Sequence, residues 1–488
     1  MKFSREYYWL AALLGLILVV NLSTLERSPT VWIDEVAYID PGVNLASGKG
    51  FTSSAWYSGP KEKAWVGNTP LYPLLVAGWV KVFGLEIIPV RLLNFFIYFL
   101  AVVLVWEGVR RTRLLASVSA RIWLVALLLL GFGPTFIYRN GRPDALLVLL
   151  FSIVFLGCCL DRAWIRYALI ALASFLVPFT GLSGLPFLAL CGMLWLGLVG
   201  WRGLVDVFVA GSASALGLLA LYLGYSSLGM WEGFRASTSS HSTMMLLGQG
   251  LQPLLAKWWG VLKEFRGDLS LLALLAGLLS VFAAGFLWRG FALPSRSFIL
   301  LLFALVVPVV MLIVGTFPVY YGWMSYVPAV FAWALWLDKS SDRDSVAPGQ
   351  NTARFACLAL GVVVACAGLP LRTGLALAQW SARDYEPVRR LVSEVVKPDD
   401  VVFCSPQAYY AVKRIAKETY TPSYDQAMSD VECAEVDVLI IDPEAFPKFQ
   451  GKFGEGWVPV GQDVSVASAR NTHGASTYNL QAWRRLRP

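Results

Sequence analysis

With 488 residues, 57% of them hydrophobic and only 15% charged, and a mean hydropathy of +0.61, the chain is too apolar for a conventional soluble core and reads as a multi-span membrane protein. The net charge of +8 does not point to nucleic acid, because the basic residues fall mostly in short links between apolar runs, where positive charge marks the cytoplasmic side. Of the seven cysteines, none has metal-ligand spacing; Cys158, Cys159, Cys191, Cys357 and Cys366 lie in apolar segments, and Cys404 and Cys433 sit in a polar part where an oxidising compartment would let them pair.

Lys2 and Arg5 precede a first apolar run from Trp9 to about Leu22, with no small-residue cleavage site after it, which reads as an uncleaved anchor. The N-terminus is then expected in the cytoplasm and Asp34 outside. Residues 26–88 form a long external loop. In it Val36, Ile39, Val43 and Ala46 recur at helical spacing, as expected of a helix in the membrane interface. Pro41 should kink that helix or restart it with Asp40 as the cap. The segment from Thr69 to Gly84 is too short and interrupted for a span and is expected to run along the surface, so that the loop forms a shaped lid. Further spans follow at roughly 89–108, 120–137, 143–160, 166–180, 185–200, 204–226, 268–288, 297–316, 321–337 and 355–372, each near the ~20 apolar residues a crossing needs, which makes about eleven with the first.

Charge supports this parity. Links expected in the cytoplasm hold Arg110, Arg111, Arg113 and Arg121, then Arg162 and Arg166, Arg202, Arg289 and Arg296, and finally Lys339, Arg343 and Arg354. Short external links are nearly free of Lys and Arg, except for Tyr138-Arg139-Asn-Gly-Arg142-Pro-Asp144, which breaks the rule. A second external loop, Ser226 to Gly267, carries His241, Trp258 and Trp259. An odd number of spans puts the C-terminal part outside. From about Ala382 the composition turns ordinary, with Asp400 to Cys404 and Val436 to Asp442 read as buried strands and Gln407 to Lys417 as helical between them. The fold class is therefore an α-helical polytopic membrane protein over residues 1–380, external loop included, followed by a small extracytoplasmic α/β domain over 381–488. No phosphate-binding glycine pattern occurs.

Ionisable residues at membrane depth are expensive and mark candidate sites. Asp34 and Glu35 are adjacent on a helix and so point about 100° apart; one can face reacting atoms while the other orients a neighbour. A carboxylate there suits a general base, and it equally suits a divalent cation. Arg139 and Arg142 either snorkel to headgroups or form a phosphate site, with Lys61 and Lys63 as further cations. Asp144 follows Pro143 at a helix start, where the dipole favours negative charge. Tyr320, Tyr321 and Tyr326 form an interfacial aromatic belt or a substrate wall; Tyr57, Tyr72 and Asp144 are placed with them as substrate-lining residues. A base beside phosphate-binding cations at the outer face suits sugar transfer from a lipid phosphate to a hydroxyl or amine.

Asp34-Glu35 after the first span, Thr69-Pro-Leu-Tyr-Pro ending in Phe83-Gly84, Val90-Arg-Leu-Leu-Asn94, and Arg139-x-x-Arg-Pro-Asp144 together resemble the GT-C superfamily, over about residues 1–340. Within it the likeness is to protein O-mannosyltransferases and lipid A aminoarabinose transferases. That resemblance implies an inverting membrane glycosyltransferase using a polyprenyl-phosphate sugar, with Asp34 catalytic and Glu35 its partner. The acceptor is a lipid, a glycan or a protein, and the location a bacterial inner (plasma) membrane. One departure is notable: where the aminoarabinose transferases carry a lysine before Pro-Pro-Leu, this chain reads Gly67-Asn68-Thr69-Pro70, leaving Lys61 or Lys63 as substitutes at the donor phosphate. Metal dependence differs among such relatives, and no ion is claimed. The competing readings are a transporter or flippase for a lipid-linked sugar, which calls for charge near the midplane between repeated halves, and an inactive scaffold.

Overall fold

The computed structural model describes residues 5–56, 63–239, 251–287, 295–314, 317–339, 350–425, 428–465 and 478–486; Tyr57, Lys61 and His241 lie outside them. The helices in chain order are α1 (Arg5–Thr24), α2 (Ile33–Ala46), α3 (Leu71–Phe83), α4 (Ile87–Thr112), α5 (Val118–Leu130), α6 (Phe132–Tyr138), α7 (Asp144–Cys158), α8 (Ala163–Thr180), α9 (Gly184–Val199), α10 (Leu204–Ser227), α11 (Trp231–Ser239), α12 (Leu251–Phe265), α13 (Leu269–Leu287), α14 (Ser295–Val314), α15 (Trp323–Lys339), α16 (Gln350–Ala367) and α17 (Leu369–Ala378). After them come α18 (Glu386–Val395), β1 (Val401–Cys404), α19 (Tyr409–Lys413), β2 (Glu418–Tyr420), α20 (Asp430–Glu435), β3 (Val438–Ile441), α21 (Phe446–Phe453), β4 (Trp457–Ser465) and β5 (Asn479–Arg485).

Two compact units result. One comprises Met1–Val20, Phe95–Tyr138 and Pro143–Arg372; the other comprises Asn21–Asn94, Arg139–Arg142 and Thr373–Pro488. In the first unit the apolar runs are helices because hydrocarbon offers the backbone no partner outside its own segment. The runs expected as spans are helical, but those at 120–137 and 355–372 each divide into two helices, α5 with α6 and α16 with α17. Among the described residues six helices are long and apolar enough to cross a membrane, or seven if α5 and α6, bent by 59°, count as one. The bend has a local cause. Gly131 lies between the two helices, a Cβ there would sit 2.0 Å from the Tyr326 hydroxyl, and that hydroxyl donates to the Leu127 carbonyl at 2.9 Å.

The second unit joins the first loop to the C-terminal part. Its sheet has the order β2-β1-β3-β5-β4, parallel across β2, β1 and β3 and antiparallel from β3 through β5 to β4. β1 and β3 are buried along their length, as strands covered on both faces must be. Phe403, Tyr420, Leu439, Phe449, Phe453 and Trp483 pack one core. The expected helix over 407–417 is shorter, a 3-10 turn at Pro406–Ala408 running into α19, before the chain turns extended at β2 to pair with β1. Cys404 and Cys433 are both buried and free.

The first loop is tied to this domain rather than lying on lipid. α2 runs unbroken through Pro41, so Asp40 is not a cap but a buried mid-helix residue. Of the stripe expected in the membrane interface, Val36, Ile39 and Val43 are buried at 1%, 0% and 4% exposure and Ala46 is half-buried, because α3 packs across α2. At the crossing a Cβ on Gly42 would lie 2.3 Å from the Pro73 carbonyl oxygen. The Ser54 hydroxyl reaches the Thr419 carbonyl at 2.7 Å, the Thr421 hydroxyl donates to the Ala55 carbonyl at 2.8 Å, and Lys49 donates to the Lys417 carbonyl. β2 is an edge strand, and the Ser54 hydroxyl takes up the Thr419 carbonyl that an edge would otherwise leave open.

The α2–α3 crossing makes a prediction. Gly42→Ala should destabilise by about 1–3 kcal/mol through overpacking, read as a lower melting temperature of the purified protein. Gly78→Ala on α3, where an added Cβ meets nothing within 4 Å, should instead stabilise by ~0.5–1 kcal/mol through helix propensity. Equal responses would contradict the close crossing.

Candidate active site

The site grows from the first turn of α2, where Asp34 and Glu35 sit at the helix N-terminus, favoured by its positive dipole end. Their different directions give them different surroundings. The Glu35 side chain has no exposure. Its two oxygens take a fork from Arg91, Nε to Oε1 at 2.8 Å and Nη2 to Oε2 at 2.7 Å, and Oε1 also accepts from the Tyr410 hydroxyl at 3.0 Å. Burial and then the Glu35 charge push Tyr410 well above the ordinary tyrosine range, so it stays a neutral donor. The remaining Arg91 nitrogen, Nη1, binds the Leu25 and Pro29 carbonyls, each at 2.7 Å. Arg91 therefore fixes α2 against the turn that follows α1, using the planar guanidinium fork.

Asp34 is 31% exposed, and it pairs with Arg142, whose own side chain is 1% exposed. Among the described residues its carboxylate meets no other partner. The segment carrying Arg142 is held from several sides. Asn94 Nδ2 donates to the Arg142 carbonyl at 2.7 Å and to the Asn140 carbonyl, and Trp32 Nε1 donates to Asn140 Oδ1 at 3.1 Å. Gly141 allows the close approach to α2, since a Cβ there would be 2.9 Å from Ile39 and 3.1 Å from Glu35. The Arg142 guanidinium also lies over the rings of Trp32 at 5.5 Å and Tyr38 at 5.2 Å. Tyr38 meets Trp56 edge-on at 5.3 Å and accepts from Asn68 Nδ2 at 3.1 Å. An ion pair thus stands beside an aromatic wall, the surface that suits an apolar sugar face.

One turn and a half further along α2, Asp40 is wholly buried. Oδ1 accepts from the Tyr409 hydroxyl at 2.5 Å and meets Lys413 Nζ at 2.8 Å. Oδ2 accepts from the Ser53 hydroxyl at 2.7 Å and the Ser54 and Ala55 amides at 3.0 and 3.2 Å. Burial alone would raise this carboxyl; the Lys413 charge and the hydrogen bonds from Lys413, Tyr409 and Ser53 outweigh it and hold the pKa below the usual aspartate value. Helix α19 therefore grips α2 twice, Tyr410 on Glu35 and Tyr409 with Lys413 on Asp40.

Other candidates fall elsewhere. Arg139 is buried and spends Nε, Nη1 and Nη2 on Ser28, Asn21 and Thr24 at 2.9, 2.6 and 3.0 Å; it braces the chain, as its position in a tight turn demands. Tyr72 is fully buried and Lys63 is exposed, both in the second unit. Asp144, Tyr320, Tyr321 and Tyr326 belong to the first unit. There Asp144 starts α7, within 3.4 Å of Trp323 Nε1, Tyr326 is committed to Leu127, and Tyr320 and Tyr321 are half-buried and stack edge-on at 5.0 Å. Among the described residues no His, Cys, Asp or Glu side chains cluster as a metal-binding set. Sequence reasoning passed over Arg91, Tyr409, Tyr410 and Lys413 as site residues. Arg91 did carry a signal, a cation inside an apolar run; the paired tyrosines carried none without the fold.

No protein-family model matches the sequence, and no curated protein matches it. Solved structures do. ArnT from Cupriavidus metallidurans in the apo state aligns with a TM-score of 0.60 at 13% identity, covering 98% of this chain and 98% of that one. The same protein bound to undecaprenyl phosphate aligns with a TM-score of 0.57 at 12% identity over 97% of each chain. A looser likeness, TM-score 0.49 at 12% identity over 91% of this chain and 71% of the other, extends to the apo oligosaccharyltransferase of Archaeoglobus fulgidus. The chain shares the fold of that ArnT over nearly its whole length.

Two outcomes follow from the buried charges. Arg91→Ala leaves Glu35 without its cation and should cost about 3–5 kcal/mol, whereas an Arg91→Met, Glu35→Gln double variant should recover part of that loss; melting temperatures of the purified variants decide. Because the folded Asp40 carboxyl lies below its unfolded value of ~3.9, its stabilisation is complete above that pH and is lost as pH falls through the depressed folded value. Acid melts of wild type should therefore decline more steeply below about pH 4 than those of Asp40→Asn.

Proposed function

We propose that this chain is an inverting membrane glycosyltransferase that moves a sugar from a polyprenyl phosphate to a hydroxyl or amine of a lipid, glycan or protein. The observation that carries the reading is the contrast along α2. Glu35 and Asp40 are buried and fully engaged, while Asp34 alone is open to a substrate and has a cation behind it. The shared fold and the complex of the similar ArnT with undecaprenyl phosphate support a polyprenyl-phosphate donor.

In this reading Asp34 removes the proton of the acceptor hydroxyl or amine as its lone pair attacks the anomeric carbon. The bond from that carbon to the phosphate oxygen breaks, its electron pair leaves with the lipid phosphate, and a single displacement inverts the anomeric centre. Arg142 orients Asp34 and offers positive charge to the departing phosphate, with Lys61 and Lys63 as further donors. Trp32, Tyr38 and Trp56 give the sugar a wall. Among the described residues a guanidinium takes one Asp34 oxygen and no second acid joins it, so the steps are assigned to the chain's own side chains. The reading also includes eleven crossings, a cytoplasmic N-terminus, an external C-terminal domain and a bacterial inner membrane, supported by the basic links.

The decisive assay offers radiolabelled polyprenyl-phosphate sugars to the purified protein in membranes and counts lipid and protein fractions separately. Asp34→Asn should keep its melting temperature near wild type and lose about 10²- to 10⁴-fold in turnover. Transfer unaffected by Asp34→Asn would remove the base. A panel with no consumed donor, alongside protein-dependent passage of labelled lipid across the bilayer, would replace the transferase with a flippase.

A further inference from the structure

The first unit holds a partly open cavity of about 700 Å3, lined mostly by apolar groups, within the size range of sites that bury a ligand, ~300–1,000 Å3. Its two ends are chemically unlike. At one end lie Tyr98, Phe187 and Trp323. At the other lie Arg113, just past the end of α4, Cys159 past the end of α7, and Val199 at the end of α9, together with Asp206 and Arg296 in the first turns of α10 and α14. Three helices finish and two begin there, so these residues share one side of the unit. It is the side whose links carry the positive charge read as cytoplasmic.

The charges at that end do not cancel. Asp206 is taken by Arg166, Nε to Oδ1 at 2.6 Å, and by Trp195 Nε1 at 3.0 Å. Among the described residues, neither Arg113 nor Arg296 has an ion-pair partner. Arg113 carries a second signal. It has φ +51°, a left-handed backbone found at no other non-glycine residue among those described. It closes the C-terminus of α4, with its amide on the Arg110 carbonyl at 3.3 Å and the Leu114 amide on the Val109 carbonyl at 3.2 Å. Glycine is the usual residue at that position, where a side chain costs conformational energy. The chain accepts that cost and places a guanidinium at the mouth of the cavity.

We propose that the cavity holds an anionic phospholipid of the cytoplasmic leaflet, with acyl chain inside and phosphate between Arg113 and Arg296. Basic pockets between spans on the cytoplasmic side suit anionic headgroups, and a zwitterionic lipid gains less from two unpaired cations. The cavity is lined by residues of the first unit, whereas Asp34 belongs to the second, and the proposal does not depend on the transferase reading.

Lipid titration of the purified full-length protein, read by native mass spectrometry with phosphatidylglycerol and phosphatidylcholine as probes, tests this. One phosphatidylglycerol should be retained in preference to phosphatidylcholine. Arg113→Gly keeps the left-handed turn, so its melting temperature should hold or rise while phosphatidylglycerol binding weakens about five-fold; Arg296→Gln should weaken it similarly, near the ~1 kcal/mol expected per basic residue at a lipid surface. Ala210→Phe, which fills the cavity wall, should reduce phosphatidylglycerol retention. Equal retention of the two lipids, or a preference unchanged in both arginine variants, would overturn the proposal. So would displacement of phosphatidylglycerol by equimolar undecaprenyl phosphate, which would assign the cavity to the donor chain.

Discussion

The Glu35–Arg91 pair is the contact on which the second unit depends. Both side chains are fully buried, and a charge without its partner in such a place is strongly destabilising. The pair therefore fixes a register: α2 must present Glu35 to α4, and α4 must present Arg91 to the turn at Leu25 and Pro29. Once that is set, the neighbouring residue on the helix, about 100° away, is turned outward. The exposure of Asp34 is a consequence of the burial of Glu35.

A second buried carboxylate extends the constraint. Asp40 gathers donors from the loop at Ser53–Ala55 and from α19, so the α/β part does not merely follow the membrane part in sequence. It supplies Tyr409, Tyr410 and Lys413 to the helix that bears the candidate base. In the proposed reaction those residues position α2 without touching substrate, which gives the C-terminal part a role in turnover distinct from selecting an acceptor. The same logic accounts for the 139–142 segment. Arg139 anchors it, Gly141 lets it close on α2, and Asn94 and Trp32 hold its backbone and Asn140, leaving Arg142 beside Asp34.

Much of this was legible in the residue order. Apolar runs of about 20 residues can satisfy their backbones in hydrocarbon only as helices, and the expected runs are helical, two of them as a pair of shorter helices. The break in charge asymmetry at Arg139 and Arg142 marked a segment that belongs with the first loop, and short continuous apolar runs marked β1 and β3 as buried strands. The errors share one cause. The stripe Val36, Ile39, Val43 and Ala46 was expected at the membrane interface, and Pro41 to kink the helix or restart it with Asp40 as the cap, because a helical period records that a face is apolar or a residue polar without recording what covers it.

Local sequence determined the helices, the strands, the side-by-side placement of two acids and their divergence by a helical angle, because these follow from backbone geometry and short-range periodicity. Tertiary structure decided which acid is buried and which is open. That choice rests on Arg91, Tyr410, Arg142 and Lys413, residues separated from α2 by tens to hundreds of positions. A buried charge is tolerated only where the folded chain brings its counter-charge, and no local pattern states where that will be.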